Sequence, residues 1–386
     1  MTIRLLFLIL PCMLILSSCD TAPVEDAGAD IVAKDEVPSL HEAYKDAFMI
    51  GTALNSNHIF GVDTQGLELV ERHFNAITPE NIMKWEVIHP EPGQYDFEQA
   101  DLLVEFAEEN DMFITGHTLV WHSQTPRWVF EDEEGELLTR EALLERMRDH
   151  IHTVVGRYKG RVQSWDVVNE ALNEDGSLRE SLWYRIIGQD YLVKAFEYAR
   201  EADPDAELYY NDYSLEIPSK RAGAVELIKY LQENDAPVTG IGTQAHFMMD
   251  WPELEEVEQT VVDFAALGID VMVTELDIDV LPAAFDYMGA DVGMSAELRD
   301  ELNPWPDGLP EEMEQELAQR YADVFEIYLR HSDNMSRVTF WGVTDGDSWK
   351  NNWPVRGRTN YPLIFDREFQ PKPAFYEILN LTKDEG

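Results

Sequence analysis

Val162-Gln163-Ser164-Trp165-Asp166-Val167-Val168-Asn169-Glu170 is a short, largely apolar run that closes on an amide and a carboxylate. Working outward from it, seven further runs of the same kind punctuate the chain: Phe48 to Leu54, Phe74 to Thr78, Phe113 to Leu119, Glu207 to Asn211, Gly240 to Ala245, Val271 to Glu275 and Val338 to Val343. Longer segments with apolar residues at three- and four-residue spacing lie between them, among them Glu141 to Tyr158, Leu192 to Ala202, Arg221 to Asn234 and Glu311 to Arg330. Short strands alternating with amphipathic helices make an α/β fold with a parallel sheet, and eight such units close a ring. The sequence therefore predicts a (β/α)8 TIM barrel as a single catalytic domain over residues 38–384. A doubly wound open sheet is the alternative, but the first βα turn has no Gly-x-Gly-x-x-Gly. The stretch from Leu281 to Pro310, rich in Pro, Gly, Asp and Glu, follows the seventh strand and reads as an enlarged loop on the barrel mouth.

The remainder of the chain narrows the function classes. The composition is 45% apolar and 11% aromatic, enough to fill a large core. Seventy-five acidic residues against 29 Lys and Arg give a formal charge of −46, a field that repels phosphate backbones, so no nucleic-acid partner is expected. The acidic residues form no long block and read as a solvated surface, suited to a saline habitat. At the N-terminus, Arg4, an apolar run from Leu5 to Leu16, then Ser17, Ser18 and Cys19 follow the order of an export signal. Its ending resembles the bacterial lipoprotein cleavage box. The expectation is a signal peptide over residues 1–18, lipidation of Cys19, and an acidic flexible linker over residues 19–37. An unlipidated signal is the alternative. Cys12, the other cysteine, lies inside that signal, which leaves the mature chain without an internal disulfide. The protein is expected to be an exported cell-envelope lipoprotein, otherwise secreted, touching membrane only through its anchor, and a monomer.

In a (β/α)8 barrel the reacting groups stand where strands end at the carboxyl face. The predicted strand ends carry Glu80, Asn81, Lys84 and Trp85; His117, Trp121, His122 and Gln124; Asn169 and Glu170; Asn211 and Tyr213; Gln244 and His246; Glu275 and Asp277; Trp341 and Trp349. Amides, carboxylates and indoles on one rim suit an uncharged sugar chain, which offers hydroxyls and apolar ring faces. A phosphate ligand would ask for more positive charge.

Glycosidic cleavage needs one carboxylic acid to protonate the leaving oxygen and a second carboxylate opposite the sugar ring. Any one glutamate among 75 acidic residues reads first as a surface charge. Glu170 and Glu275 differ because each closes a strongly apolar strand. In Val271-Met272-Val273-Thr274-Glu275 the period of two puts Glu275 on the side of Val271 and Val273, where a carboxylate costs desolvation energy. Such a position points to function.

Gly116-His117-Thr118-Leu119-Val120-Trp121-His122-Ser123-Gln124-Thr125-Pro126, Trp165 to Glu170, Thr274 to Asp277, and Trp341 to Trp349 together resemble the glycoside hydrolase family 10 endo-β-1,4-xylanases, over nearly all of residues 40–380. The resemblance implies endo-hydrolysis of xylan and xylo-oligosaccharides by double displacement, with Glu170 as acid/base and Glu275 as nucleophile. Retaining enzymes hold such carboxyls about 5–5.5 Å apart. The resemblance also implies that Glu80, Asn81 and Lys84 bind sugar hydroxyls on the non-reducing side, and that His117, Trp121 and Gln124 line the subsite of the cleaved sugar. Asn169 would bond the 2-hydroxyl, Gln244 would set the environment of Glu170, and His246 would orient Glu275 with Asp277 behind it. Trp341 and Trp349 would wall the cleft and crowd out a hexose hydroxymethyl group. No cofactor and no metal are implied.

Several residues keep a second reading. His117, His122 and His246 are packed histidines, site residues or metal ligands, although none shows typical zinc spacing. Asn211 and Tyr213 are turn residues or site residues. Asp166, on the Glu170 side of its strand, is buried with a partner or belongs to the site. Trp128, Trp183 and Trp251 read as packing or loop aromatics. Three other functions are testable: a metal-dependent barrel enzyme, a glycan-binding lipoprotein and a β-1,4-glucanase.

Overall fold

In this computed structural model, which describes residues 37–282 and 299–383, nine parallel strands run in chain order. They are β1 (Met49–Leu54), β2 (Ala76–Pro79), β3 (Phe113–Trp121), β4 (Ser164–Asn169), β5 (Glu207–Asp212), β6 (Gly240–Thr243), β7 (His246–Met248), β8 (Asp270–Asp279) and β9 (Met335–Phe340). Each of β1 to β6 pairs with its sequence neighbour, β9 pairs with β1, and β6 pairs directly with β8, so eight strands close a (β/α)8 TIM barrel. The expected lipoprotein signal, Cys19 and nearly all of the linker lie outside the described residues, as does the middle of the Leu281 to Pro310 stretch. No helix among the described residues is long and apolar enough to cross a membrane.

The amphipathic segments form helices close to their predicted bounds, at Arg140–Arg157, Tyr191–Ala202, Pro218–Glu233 and Glu311–Arg330. Pro218 at the first helical position starts its helix three residues before the predicted Arg221, because proline there gives up only an N–H the helix does not use. Thr139 caps the first of these, its Oγ1 accepting from the Ala142 N–H at 3.3 Å. The longest helix buries Leu317, Tyr321, Val324, Phe325 and Tyr328 against the barrel wall.

Two departures from simple strand patterning shape the mouth. The sequence reads Gly240 to Ala245 as one strand; β6 instead stops at Thr243, Ala245 turns at φ 60°, and the chain resumes as β7 beside the far end of β8. In β8 the register on β9 slips: Val273 pairs with Val338 and Leu276 with Phe340, so Thr274 and Glu275 together stand opposite the single residue Thr339. This bulge breaks the alternation. Thr274 Oγ1 donates to Asn211 Oδ1 at 2.7 Å and Glu275 Oε1 accepts from Asn211 Nδ2 at 2.9 Å, so both consecutive side chains face the barrel interior. A Cβ added at Gly242 would meet Met272, Thr274 and Asn211, which sets Met272 on that inner face and Val271 and Val273 on the outer one. The expectation that Glu275 shares a face with those valines is corrected: the bulge turns it inward.

At the opposite mouth Arg337 is fully buried. Its guanidinium donates to Ser164 Oγ at 3.0 Å and Glu207 Oε2 at 3.3 Å, and lies over the rings of Phe113 and Tyr209. The amino end of the barrel is thereby closed.

Candidate active site

The carboxyl ends of the strands surround a cleft of about 610 Å³. Four residues on or beside its wall hold positive φ: Gln124 at 45°, Glu170 at 55°, Ser214 at 52° and Ala245 at 60°. Left-handed backbone at four non-glycine positions costs energy, and such strain concentrates where side chains must be aimed. Arg179 holds the Glu170 turn by donating to the Glu170 carbonyl at 3.1 Å and the Leu172 carbonyl at 2.7 Å, and it reaches the Tyr213 hydroxyl at 3.1 Å. Tyr213 in turn donates to Glu174 at 2.5 Å.

Glu170 and Glu275 are 7% and 5% exposed, and Asn211 connects their surroundings. Its Nδ2 donates to Glu275 Oε1 at 2.9 Å and to Asn169 Oδ1 at 3.0 Å, while Asn169 Nδ2 approaches Glu170 Oε1 at 3.3 Å. Gln244 Nε2 donates to the same Glu170 oxygen at 3.1 Å, and Trp121 Nε1 donates to Glu170 Oε2 at 2.9 Å. Burial pushes the Glu170 carboxyl up to about 7; Asp212 adds to the rise, the Gln244 and Trp121 donors oppose it, and Glu275 adds further.

His246 stands between two carboxylates, with Nε2 at 3.2 Å from Glu275 Oε2 and Nδ1 at 3.0 Å from Asp277 Oδ1. Burial by itself would lower its pKa, but Asp277 and then Glu275 outweigh burial and hold the imidazole up at about 9, charged at neutral pH. Asp277 also accepts from Trp349 Nε1 at 2.8 Å. Its own pKa ends below the ordinary value, because His246 and Lys350 overcome the cost of burial. On the other flank, Lys84 Nζ donates to Asn81 Oδ1 at 2.9 Å and Gln124 Oε1 at 3.0 Å, and Asn81 Nδ2 donates to Glu80 at 3.1 Å. Burial lowers the Lys84 pKa against the pull of Glu275, Glu80 and Glu170. His117 lies 2.9 Å from Asp166; burial drives the imidazole down to about 3 and the Asp166 carboxyl up to about 7. A neutral imidazole thus faces the cleft.

This arrangement can donate a proton from one buried carboxyl while a second carboxylate waits among fixed donors. The chain from residue 39 to 381 matches the model of glycosyl hydrolase family 10. The protein belongs to that family. The chain is 46% identical over 344 residues to endo-1,4-β-xylanase A of Xylanibacter ruminicola, covering 89% of this chain and 93% of that one. It is 45% identical over 346 residues to a β-1,4-xylanase of Dictyoglomus thermophilum, covering 89% and 91%. Among solved structures, a family 10 endoxylanase from a sugarcane soil metagenome superposes with a TM-score of 0.86 at 48% identity, covering 89% of this chain and 100% of that one.

In this family 10 chain, Glu80, Asn81, Lys84, His117, Trp121, Gln124, Asn169, Glu170, Tyr213, Gln244, His246, Glu275, Trp341 and Trp349 all line the one cleft. Asn211 and Asp277 lie fully buried behind it. Asn211 is therefore a structural link between the two glutamates, and not merely a turn residue. Asp166, left open in the sequence, pairs with His117. Of the three aromatics read as packing, Trp183 is buried with its Nε1 donating to the Trp121 carbonyl at 2.9 Å, and Trp128 packs edge-on against Trp85. Trp251 instead lines the cleft, brought there by the β7 extension. Sequence reasoning also passed over Glu174, Asp347, Asn352, Trp353 and Arg356, which line the same wall. Their signal was distance past a strand end, which is weak once loops lengthen.

Among the described residues one histidine and two carboxylates group in the manner of metal ligands: His58, Asp63 and Asp347. There the Asn55 N–H donates to His58 Nδ1 at 3.2 Å, which leaves the proton on Nε2, facing Asp63 at 3.4 Å and Asp347 at 3.6 Å. A proton occupies the lone-pair position a metal would need.

Proposed function

We propose that this protein is an endo-1,4-β-xylanase that cleaves internal bonds of xylan with net retention, with Glu170 as acid/base and Glu275 as nucleophile. The observation that carries the reading is the unequal treatment of two buried carboxyls in one cleft. Glu170 is held protonated toward neutral pH by burial, whereas Glu275 receives Asn211 on one oxygen and a charged His246 on the other. A buried carboxyl that keeps its proton beside one that receives two donors supports reading the first as acid and the second as nucleophile.

Glu170 gives its proton to the leaving oxygen as Glu275 bonds to the anomeric carbon, forming a glycosyl-enzyme ester. With Glu275 esterified, one neighbouring negative charge is gone and Glu170 ionises more readily. It then takes a proton from the water that breaks the ester, and both residues return to their starting states. Asn169 binds the 2-hydroxyl; Glu80, Asn81, Lys84 and Gln124 bind the sugars beyond it. His117 and Trp121 line the subsite of the cleaved sugar, Tyr213 borders the opposite wall, and Gln244 keeps Glu170 aimed. Trp341 and Trp349 bring indole faces to the sugar rings and narrow the space a hexose would need. The sequence of the first 19 residues supports export, with Cys19 as a lipid anchor.

The test is trapping. A 2-deoxy-2-fluoro-xylobioside with a good leaving group should inactivate the enzyme and add one xylobiosyl mass to the peptide bearing Glu275. Label on another carboxylate, or first-formed product of inverted configuration by NMR, would refute the assignment.

A further inference from the structure

The cleft wall beyond Trp349 carries a feature that cleavage of a neutral chain leaves unused. Trp349 and Trp353 stack with centroids 4.8 Å apart and planes within 8°, one indole lying on the other. Arg356 follows on the same wall, exposed. Among the described arginines it alone makes no hydrogen bond, ion pair or ring contact. Its neighbour in sequence, Arg358, is buried against Asp279 at 3.4 Å, and Arg367 donates to Asn351 and lies over Tyr361. In a chain with 75 acidic residues to 29 basic ones, a guanidinium without a carboxylate stands out. The segment is anchored on both sides: Pro354 and Val355 are buried, and the Gly357 N–H donates to the Asn351 carbonyl at 2.9 Å. Arg356 is thus an unpaired charge on a fixed support beside a sugar-binding surface.

We infer that Arg356 binds the carboxylate of a uronic acid branch on the xylan chain, so that the enzyme favours acid-decorated xylan at this wall. The inference rests on the xylan reading above. The xylose backbone is uncharged and offers a guanidinium only hydroxyls, whereas a uronate offers the planar carboxylate that its fork matches. Without this residue the carboxylates that line the same cleft, Glu174 and Asp347 included, would repel such a branch. Trp353 supplies the apolar face for the branch ring.

The test compares three substrates with the enzyme made from its full-length chain: xylohexaose, native glucuronoxylan, and the same glucuronoxylan with its carboxyls reduced to alcohols. The readout is the kcat/KM ratio of native to carboxyl-reduced polymer. Wild type should prefer the native polymer by about threefold at low salt, the scale of a solvent-facing charged pair, with the preference fading at high salt. Arg356→Gln should bring the ratio to one, and Arg356→Glu should bring it below one. A wild-type ratio of one or less overturns the inference without any variant, and so does a ratio unchanged in Arg356→Gln. Failure to cleave even xylohexaose would instead defeat the xylan reading, which keeps the two apart.

Discussion

Replacing Glu170 by glutamine should make the protein more stable at alkaline pH than at acid pH, relative to wild type, by an amount the structure sets. Burial and Asp212 raise its pKa from 4.5 to about 7. The folded state then binds this proton more tightly than the unfolded chain does. The associated stability is full below the unfolded value and is lost as pH rises through the folded one. A rise of about 2.5 units, at about 1.4 kcal/mol each, is at most about 3.5 kcal/mol, of which about 3 kcal/mol is lost between pH 4.5 and pH 8. For about 350 residues with an unfolding entropy of about 2 cal/mol/K per residue, that is a Tm change of about 4 °C. Glutamine cannot ionise and escapes the loss. It also sets an amide N–H against the Trp121 or Gln244 donor, but that cost does not vary with pH. The quantity to measure is therefore the Tm of Glu170→Gln minus that of wild type, by calorimetry at pH 4.5 and pH 8. The difference should grow by about 4 °C between them, on the entropy scale above. A flat difference, or one that shrinks toward pH 8, would refute the claim that this site holds Glu170 against ionisation.

Asp277→Asn should let burial lower the His246 pKa, leaving that ring neutral at pH 7 and Glu275 without its charged partner. Xylan kcat/KM should drop about tenfold at pH 7, an effect near 1.4 kcal/mol, and the deficit should shrink toward pH 5 as the ring regains its proton. A deficit constant with pH would contradict this. Gly242→Ala would place a Cβ 2.6 Å from Thr274 Cγ2 and 2.7 Å from Asn211 Oδ1. Urea unfolding should show a loss of about 1–3 kcal/mol, with activity reduced further as Asn211 is pushed away from Glu275. Arg337→Leu should cost about 2–3 kcal/mol in the same assay while xylan kcat/KM stays within about threefold, since this guanidinium serves the closed end of the barrel.

Much of this site was legible in the sequence because a barrel brings strand ends to one rim whatever loops intervene. Asn169, Glu170, Gln244 and Glu275 needed only the positions of four apolar runs. The bulge in β8 was not legible, since it arises where two residues of one strand must stand opposite one of its neighbour, a property of the pair. Glu275 was found although the alternation argument aimed it at the wrong face; its place at the strand end was the sounder clue. The break at Ala245 was hidden because alanine at positive φ has no signature of its own. Trp251 and Arg356 escaped because each follows a turn whose direction neighbouring loops decide.

The Arg179 bridge changes how this barrel could be re-engineered. Loops on such scaffolds are often treated as cassettes, exchanged one at a time to alter what the mouth accepts. Here one guanidinium ties the carbonyls of Glu170 and Leu172 to the hydroxyl of Tyr213, so the segments after β4 and β5 form one mechanical part. A graft that swaps the β5 segment alone would also tilt the proposed proton donor. Transplants between relatives should carry residues 170–179 and Tyr213 as one piece.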